Sequence, residues 1–254
     1  MKILLPPSEG KTAPDSFGDN RLDLGSLIFP DLCEARTEVM DSLAEVSAGE
    51  DAQSVLKVGA KAMAEVGANT QLSSSPAAES WQIYTGVLYE ALGASSLSEA
   101  ELARAAEDVL IFSGLFGVTG FADKIPVYRC SMDVKLPGLG NLGIYWKKQL
   151  AEPMDRMVGD QLVVDCRSGS YQKTWPGPAE QVLQVNNFTE KDGQRKVVTH
   201  FAKHARGELT GLLLRQPRPA ETIDEVAEVA AQRWTVEIRP AEGRKPHQLD
   251  LVSK

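Results

Sequence analysis

Apolar positions along this chain alternate between short continuous runs and helical spacing. Met1–Leu5 and Leu162–Cys166 are compact, mainly apolar runs, the pattern of buried strands. Val127–Met132, Trp234–Arg239 and Leu249–Val252 predict three more strands. Gln181–Asn187 and Lys196–Phe201 flank Lys191-Asp192-Gly193, and Asp-Gly is a turn signal, so these two segments predict a strand pair. Leu32, Ala35, Val39, Leu43 and Val46 recur at helical spacing and predict a helix from Asp31 to Val46. A second helix is expected over Asp51–Val66, weakened by Gly59. Ser73-Ser74-Ser75-Pro76 is a start signal for a helix carrying Trp81, Tyr84, Leu88 and Leu92. Ser98-Glu99-Ala100-Glu101 is a capping box. It starts a helix through Leu102, Ala106, Val109 and Leu110, which Gly114 is expected to end. Asn141–Met157, Ala202–Arg215 and Glu221–Gln232 complete the helices, and residues 13–30 read as loop. No repeat, low-complexity tract or linker interrupts this order, so the expectation is one mixed α/β domain over residues 1–254.

Composition narrows the class. The 254 residues are 43% hydrophobic and 24% charged, ordinary for a globular protein and ample for a core. No run of 18 apolar residues is present, and the N-terminal apolar stretch is too short for a signal peptide. Cys33, Cys130 and Cys166 are few, odd in number and widely spaced, which points to a reducing cytoplasm without structural disulfides.

Charge changes the picture more than composition does. The net charge is −8, but residues 1–123 hold 7 Lys/Arg against 19 Asp/Glu, while residues 124–218 hold 15 against 9. A basic middle behind an acidic first half is the pattern of an anion-binding face on an acidic protein, or simply of solvated acidic helices.

The candidate chemistry begins at Pro6-Pro7-Ser8-Glu9-Gly10-Lys11-Thr12. It ends like a phosphate loop, but the first glycine of that motif would fall on Leu5, and Pro6 and Pro7 lack the N–H groups that cradle phosphate. What remains is a rigid strand exit presenting Ser8, Lys11 and Thr12, where ligands of α/β sheets commonly bind. Ser168, Tyr171 and Lys173 follow a second strand and are expected to share a polar pocket with Ser8, Lys11 and Tyr84. A Ser with a nearby Lys can form a nucleophile pair. Equally, Tyr84 can be a core aromatic and Lys11 a solvated turn residue. Lys203 and Arg206 are three apart on a helix and share a face, flanked by Lys196, His200 and His204. Such a cluster can neutralise phosphates. His200 and His204 lack the acid or Cys that would complete a metal site, so neither metal nor cofactor is expected. Cys130 follows Arg129 and Cys166 precedes Arg167, and a neighbouring cation lowers a thiol pKa, so peroxide sensing at either is an alternative to inert burial.

Several segments, in order, resemble the YaaA family of bacterial peroxide-stress proteins. They are Pro7-Ser8 with Lys11-Thr12, Tyr84-Thr85-Gly86, Ser113-Gly114-Leu115-Phe116-Gly117 and Tyr128-Arg129 with Met132. Tyr145-Trp146, Ser168 with Tyr171 and Lys173, and Phe201-Ala202-Lys203 with Ala205-Arg206-Gly207 follow. The resemblance implies a cytoplasmic protein that limits iron-linked oxidative damage under hydrogen peroxide. It further implies a fold with a basic cleft that binds DNA and a helix-hairpin-helix element, for which Ser113, Gly114 and Gly117 are the candidate hairpin. Lys11, Arg129, Lys203 and Arg206 would then position phosphates. The chain departs from the family pattern at Cys130-Ser131-Met132, at Asp165-Cys166-Arg167-Ser168 with Ser170-Tyr171, and around Arg233-Trp234. An acid serving chemistry would have moved to Asp133 or Asp165. Two other classes stay open: an enzyme acting on a small phosphorylated or nucleotide-like substrate in the same cleft, and a non-catalytic partner protein docking through its acidic first half.

Overall fold

A computed structural model describes residues 1–13, 20–191, 194–196 and 199–253. Its centre is a mixed sheet built on β1 (Lys2–Leu5), whose four residues are all buried. The other strands are β2 (Val109–Ser113), β3 (Gly117–Gly120), β4 (Val163–Asp165), β5 (Val182–Lys191), β6 (Gln194–Lys196), β7 (Thr235–Arg239) and β8 (His247–Ser253). They lie in the order β7-β8-β5-β4-β1-β2-β3, with β6 paired to β5. The pairs β1–β2, β1–β4, β4–β5 and β5–β8 are parallel, and β2–β3, β5–β6 and β7–β8 are antiparallel. The parallel strands are apolar on both faces: Ile3, Leu4, Leu5, Val109, Leu110, Ile111, Val163 and Val164 are all fully buried.

This strand order matters for function. After β1 the chain crosses to β2 on one side, whereas after β4 it crosses to β5 on the other. Between β1 and β4, therefore, the crossovers diverge and open a crevice beyond the carboxyl ends, the usual ligand position of an open α/β sheet.

Six helices carry the packing: α1 (Cys33–Ala48), α2 (Val87–Leu92), α3 (Glu99–Asp108), α4 (Leu142–Val158), α5 (Thr199–Leu214) and α6 (Ile223–Ala231). Ser98 caps α3 through the expected capping box, Thr222 caps α6 in the same way, and the Asn141 carboxamide oxygen accepts the Ile144 N–H to start α4. Helices α2 and α5 approach unusually closely. A Cβ on Gly207 would fall 1.9 Å from the Leu88 carbonyl oxygen, and one on Gly211 would fall 2.6 Å from that of Leu92. Both pairs have the same sequence offset, so the two helices run parallel and in register.

Several elements differ from expectation, each for a local reason. The helix from Ser98 stops at Asp108, because Val109–Ser113 is a fully buried β-prone run that joins the sheet directly. Gly114 ends no helix, and residues 113–117 connect two strands rather than two helices. The Asp51–Val66 helix divides into Ala52–Leu56 and Ala60–Val66 at Lys57, which takes a left-handed conformation (φ 54°). The helix expected to carry Trp81 to Leu92 breaks at Tyr84-Thr85-Gly86, where Gly86 has φ 93°. Val127–Met132 joins no sheet. Instead the Asn69 side chain bonds both the Arg129 N–H and its carbonyl, at 2.8 Å each, doing locally what a neighbouring strand would do. Of Lys196–Phe201, Lys196 ends β6 and Thr199–Phe201 begin α5, while residues 197 and 198 lie outside the described residues. Asp192 and Gly193, the proposed turn, lie outside the described residues.

Gly207→Ala should therefore cost at least about 1–3 kcal/mol, since the helix pair must separate to admit a methyl group. Gly67→Ala, in right-handed helical geometry with nothing within 4 Å of the new Cβ, should be neutral or stabilising by about 0.4–1 kcal/mol. Urea unfolding of the two variants checks the pair.

Candidate functional site

The strand exit after Leu5 folds back on the break between the helices at residues 80–83 and 87–92. Lys11 and Tyr84 form an isolated antiparallel bridge, and the Thr12 N–H donates to the Ile83 carbonyl at 2.9 Å. The Ser8 hydroxyl accepts the Thr85 N–H at 3.1 Å and donates to the Gly10 carbonyl. Tyr89 donates its hydroxyl to the Pro6 carbonyl at 2.8 Å. The loop is thus tied down along its length, and the two prolines add stiffness at its start.

Lys11 is held inside this arrangement. Its Nζ donates to the Ser8 carbonyl at 2.8 Å and lies 4.3 Å from the centre of the Tyr128 ring and 5.5 Å from that of Tyr84. Burial, then the Arg129 guanidinium, lower its pKa from 10.5 to about 7, against the weaker pull of Cys130, Glu65 and Glu9. The aromatic faces work in the opposite sense and favour the ammonium.

The ring hydroxyls point away from the amine. Ser113 Oγ accepts the N–H groups of Leu115 and Phe116, at 3.2 and 3.1 Å, which fills its lone pairs. Its own proton must then go to Tyr128 at 2.7 Å, and the Tyr128 proton to Tyr84 at 2.8 Å. Burial pushes Tyr84 up to about 12 and Tyr128 well above the usual phenol value. These tyrosines are neutral walls that present ring faces, not bases.

The other wall follows β4. Arg167 is fully buried with its guanidinium 4.2 Å from the Phe112 ring centre. It grips Asp165 through Nε and Nη2, both at 2.8 Å, and donates to the carbonyls of Tyr171 at 3.2 Å and Trp175 at 2.8 Å. Asp165, a candidate for displaced acid chemistry, is therefore consumed by this pair and is no free base. Arg167 in turn positions Tyr171, whose phenol burial holds above its usual pKa, and the exposed Ser168 at the crevice.

The structure sorts the anticipated residues clearly. Ser8, Lys11, Thr12, Tyr84, Ser168, Tyr171 and Lys173 all lie on the carboxyl edge around β1 and β4. Lys203 is exposed near the start of α5. Arg206 is committed elsewhere, its Nε and Nη2 donating to the Val185 carbonyl at 3.2 and 3.1 Å. Arg129 is paired with Glu65 at 2.6 Å. Ser8 and Lys11 form no nucleophile pair, since Nζ meets the Ser8 main chain and not its hydroxyl. Gly114 and Gly117 are buried: a Cβ on Gly114 would strike Ser131 at 2.7 Å, and one on Gly117 would strike the Trp146 ring at 2.5 Å. With the Leu115 and Phe116 N–H groups spent on Ser113, this loop is a packing joint. Tyr89, Tyr128, Glu65 and Arg167 were not foreseen as site residues. Tyr128 had the clearest signal, standing directly before Arg129.

A cleft of about 260 Å³ is lined by Ala13, Glu65, Ala68, Ser75, Pro76 and Val127 and by none of Lys11, Tyr84 or Tyr128. Ala13 follows the Lys11-Thr12 segment, Val127 precedes Tyr128, and Glu65 holds Arg129. Among the described residues no group of three or more His, Cys, Asp or Glu side chains is placed to hold a metal ion, and His204 faces Glu208 at 3.6 Å. No helix among them is long and apolar enough to cross a membrane.

Burial raises both Cys130 and Cys166 to about 12, and neither the Lys11 charge near Cys130 nor Arg206 near Cys166 reverses this. Adjacency to an arginine in sequence thus did not produce a thiolate. Peptide mapping after brief hydrogen peroxide treatment at neutral pH should find the exposed Cys33 modified first and Cys166 untouched. Lys11 should titrate near pH 7 by NMR of 13C-methylated amines. Because folding lowers this pKa, its cost to stability is complete below about pH 7 and is relieved as pH rises toward 10.5. The stability of the wild type relative to Lys11→Met should accordingly improve over that window, as read by urea unfolding at a series of pH values.

Comparison with known proteins agrees with this architecture. A family model described as peroxide stress protein YaaA matches residues 1–238. A UPF0246 protein of Streptomyces coelicolor is 40% identical over 99% of this chain and 98% of its own length. A UPF0246 protein of Corynebacterium efficiens is 43% identical over 96% and 97%. An uncharacterized protein of Campylobacter jejuni is 31% identical over 84% of each. The chain belongs to the family of the peroxide stress protein YaaA.

Proposed function

We propose that this protein serves the peroxide-stress response in the cytoplasm by binding DNA through its phosphate backbone at the carboxyl edge of the sheet, so limiting iron-linked damage to it. The observation that carries this reading is the parallel, in-register packing of α2 and α5. On this reading the first two turns of α5, with His200, Lys203 and His204, lie on the same side as the Ser8–Thr12 loop. Lys203 is exposed and makes no ion pair among the described residues. Phe201 is 55% exposed and stands edge-on to His200 at 6.1 Å. An exposed aromatic near the exposed Lys203 suits unstacked or distorted bases as well as phosphates. Arg206 and Arg129 support this face by fixing β5 and the Glu65 segment rather than by touching phosphate.

A second reading has its own observation. A half-buried Lys11 with a lowered pKa and a 260 Å³ cleft at Glu65 suit an enzyme or receptor for a small phosphorylated or nucleotide-like compound better than they suit an open duplex groove.

Fluorescence anisotropy with a labelled duplex, titrated at low and moderate salt, tests the first reading. Affinity should fall steeply with salt and depend little on sequence. Lys203→Ala should weaken binding several-fold and reduce the salt slope by about one. Unchanged affinity in Lys203→Ala would remove this face from the proposal. Arg206→Ala is the wrong probe, because freeing the Val185 carbonyl disturbs the fold.

A further inference from the structure

We propose that β7 is an assembly edge: a second copy of this chain pairs with it strand to strand, antiparallel about a two-fold axis through Ile238. This goes beyond DNA binding and does not rest on it.

The two edges of the sheet differ. At one, all four residues of β3 are buried, and the Arg36 guanidinium on α1 donates to the carbonyls of Phe116 and Val118 at 3.2 and 3.0 Å. That edge is closed by the fold itself. At the other, β7 has β8 as its one strand neighbour among the described residues, and Thr235, Glu237, Ile238 and Arg239 are all exposed. Alternate main-chain N–H and C=O groups of such a strand stand ready for a further strand.

Edge strands are ordinarily guarded by charges that discourage pairing. β7 carries two charges, but each is already tied down over the sheet. Arg195 holds Glu237 through two bonds, at 2.7 and 2.5 Å, and Arg239 holds Asp250 through two, at 2.8 and 2.9 Å. Glu237 and Arg239 share one face of the strand. Val236 and Ile238 share the other with their β8 partners Leu251 and Leu249, both buried. Ile238 is left 39% exposed there.

Charge complementarity selects both the partner and the register. With Ile238 opposite Ile238, each Glu237 meets the other copy's Arg239. Acid and base then alternate across the seam on one face, while two isoleucines meet on the other. Centring the pair on Glu237 instead would set acid against acid. The strand is thus its own complement, and the contact is closed by the two-fold axis, giving one sheet that runs through both copies.

Sedimentation velocity of the intact chain, from micromolar to submillimolar concentration, tests this and should show a monomer–dimer equilibrium. Ile238→Lys sets like charges opposite each other at an exposed position. It should weaken the dimer at least about tenfold and leave the circular dichroism of the monomer unchanged. Mild oxidation reads the register in a Cys33→Ser background, which removes the exposed native thiol. Ile238→Cys should give a disulfide-linked dimer and Glu237→Cys should not. A monomer at every concentration overturns the proposal. So does a dimer indifferent to Ile238→Lys, or cross-linking by Glu237→Cys in preference to Ile238→Cys. All of these are read without DNA, so they stand whether or not the protein binds duplex.

Discussion

Removing water from the Lys11 amine is the constraint around which this site is organised. An ammonium in a low-dielectric setting is costly unless it is paired or gives up its proton. Here no carboxylate among the described residues pairs with it. The compensation comes instead from one carbonyl, two aromatic faces and a pKa that falls to about 7. Each of these depends on the break at Tyr84-Thr85-Gly86. A continuous helix would turn Tyr84 away and spend the main-chain groups that bind Ser8 and Thr12. Gly86, at φ 93°, permits the break, and the Ser113–Tyr128–Tyr84 hydroxyl chain holds the rings in place.

The second wall solves a similar problem differently. Arg167 and Asp165 are both buried, but they satisfy each other through two parallel bonds, and the remaining guanidinium donors find carbonyls. Removing one partner would leave a buried charge, so the pair behaves as a unit of structure. The asymmetry between the walls separates roles: a fully satisfied cation builds the crevice, and an under-satisfied one faces it.

Much of the fold could be read from pattern. β1, β4, α1, α4 and the Ser98 capping box follow from apolar periodicity and local chemistry, because they are settled within a few residues of sequence. Errors fell where a distant partner decided the outcome. Val109–Ser113 continues a helical pattern but is claimed by the edge of β1. Tyr84 sits at helical spacing from Leu88 but is pulled into an extended bridge by Lys11, 73 positions away. The site was half legible. The strand exits and Lys203 were visible as residue types in suitable places. That Arg129 is spent on Glu65, and Arg206 on Val185, required three-dimensional proximity that no spacing rule encodes. Of the two cysteine readings, inert burial is the one the structure favours: charge adjacent in sequence lowered neither thiol's pKa, because burial outweighed it.

How could a protein of net charge −8 bind phosphate at the edge proposed above? Screening gives the answer. At physiological ionic strength the Debye length is about 8 Å, so an approaching phosphate responds to charges within a turn or two of helix and hardly to the chain total. Within that range the first turns of α5 carry His200, Lys203 and His204. The acid that follows them, Glu208, is occupied by Arg233 at 2.6 Å and faces His204. The acids of residues 31–50 belong to α1 and its flanks, a separate element of the fold. What bears on an incoming phosphate is thus which cations remain unpaired at the carboxyl edge. Of the four first considered, the structure leaves Lys203 open to solvent and Lys11 poised between charged and neutral, so any phosphate bound across both would also draw Lys11 toward its protonated form.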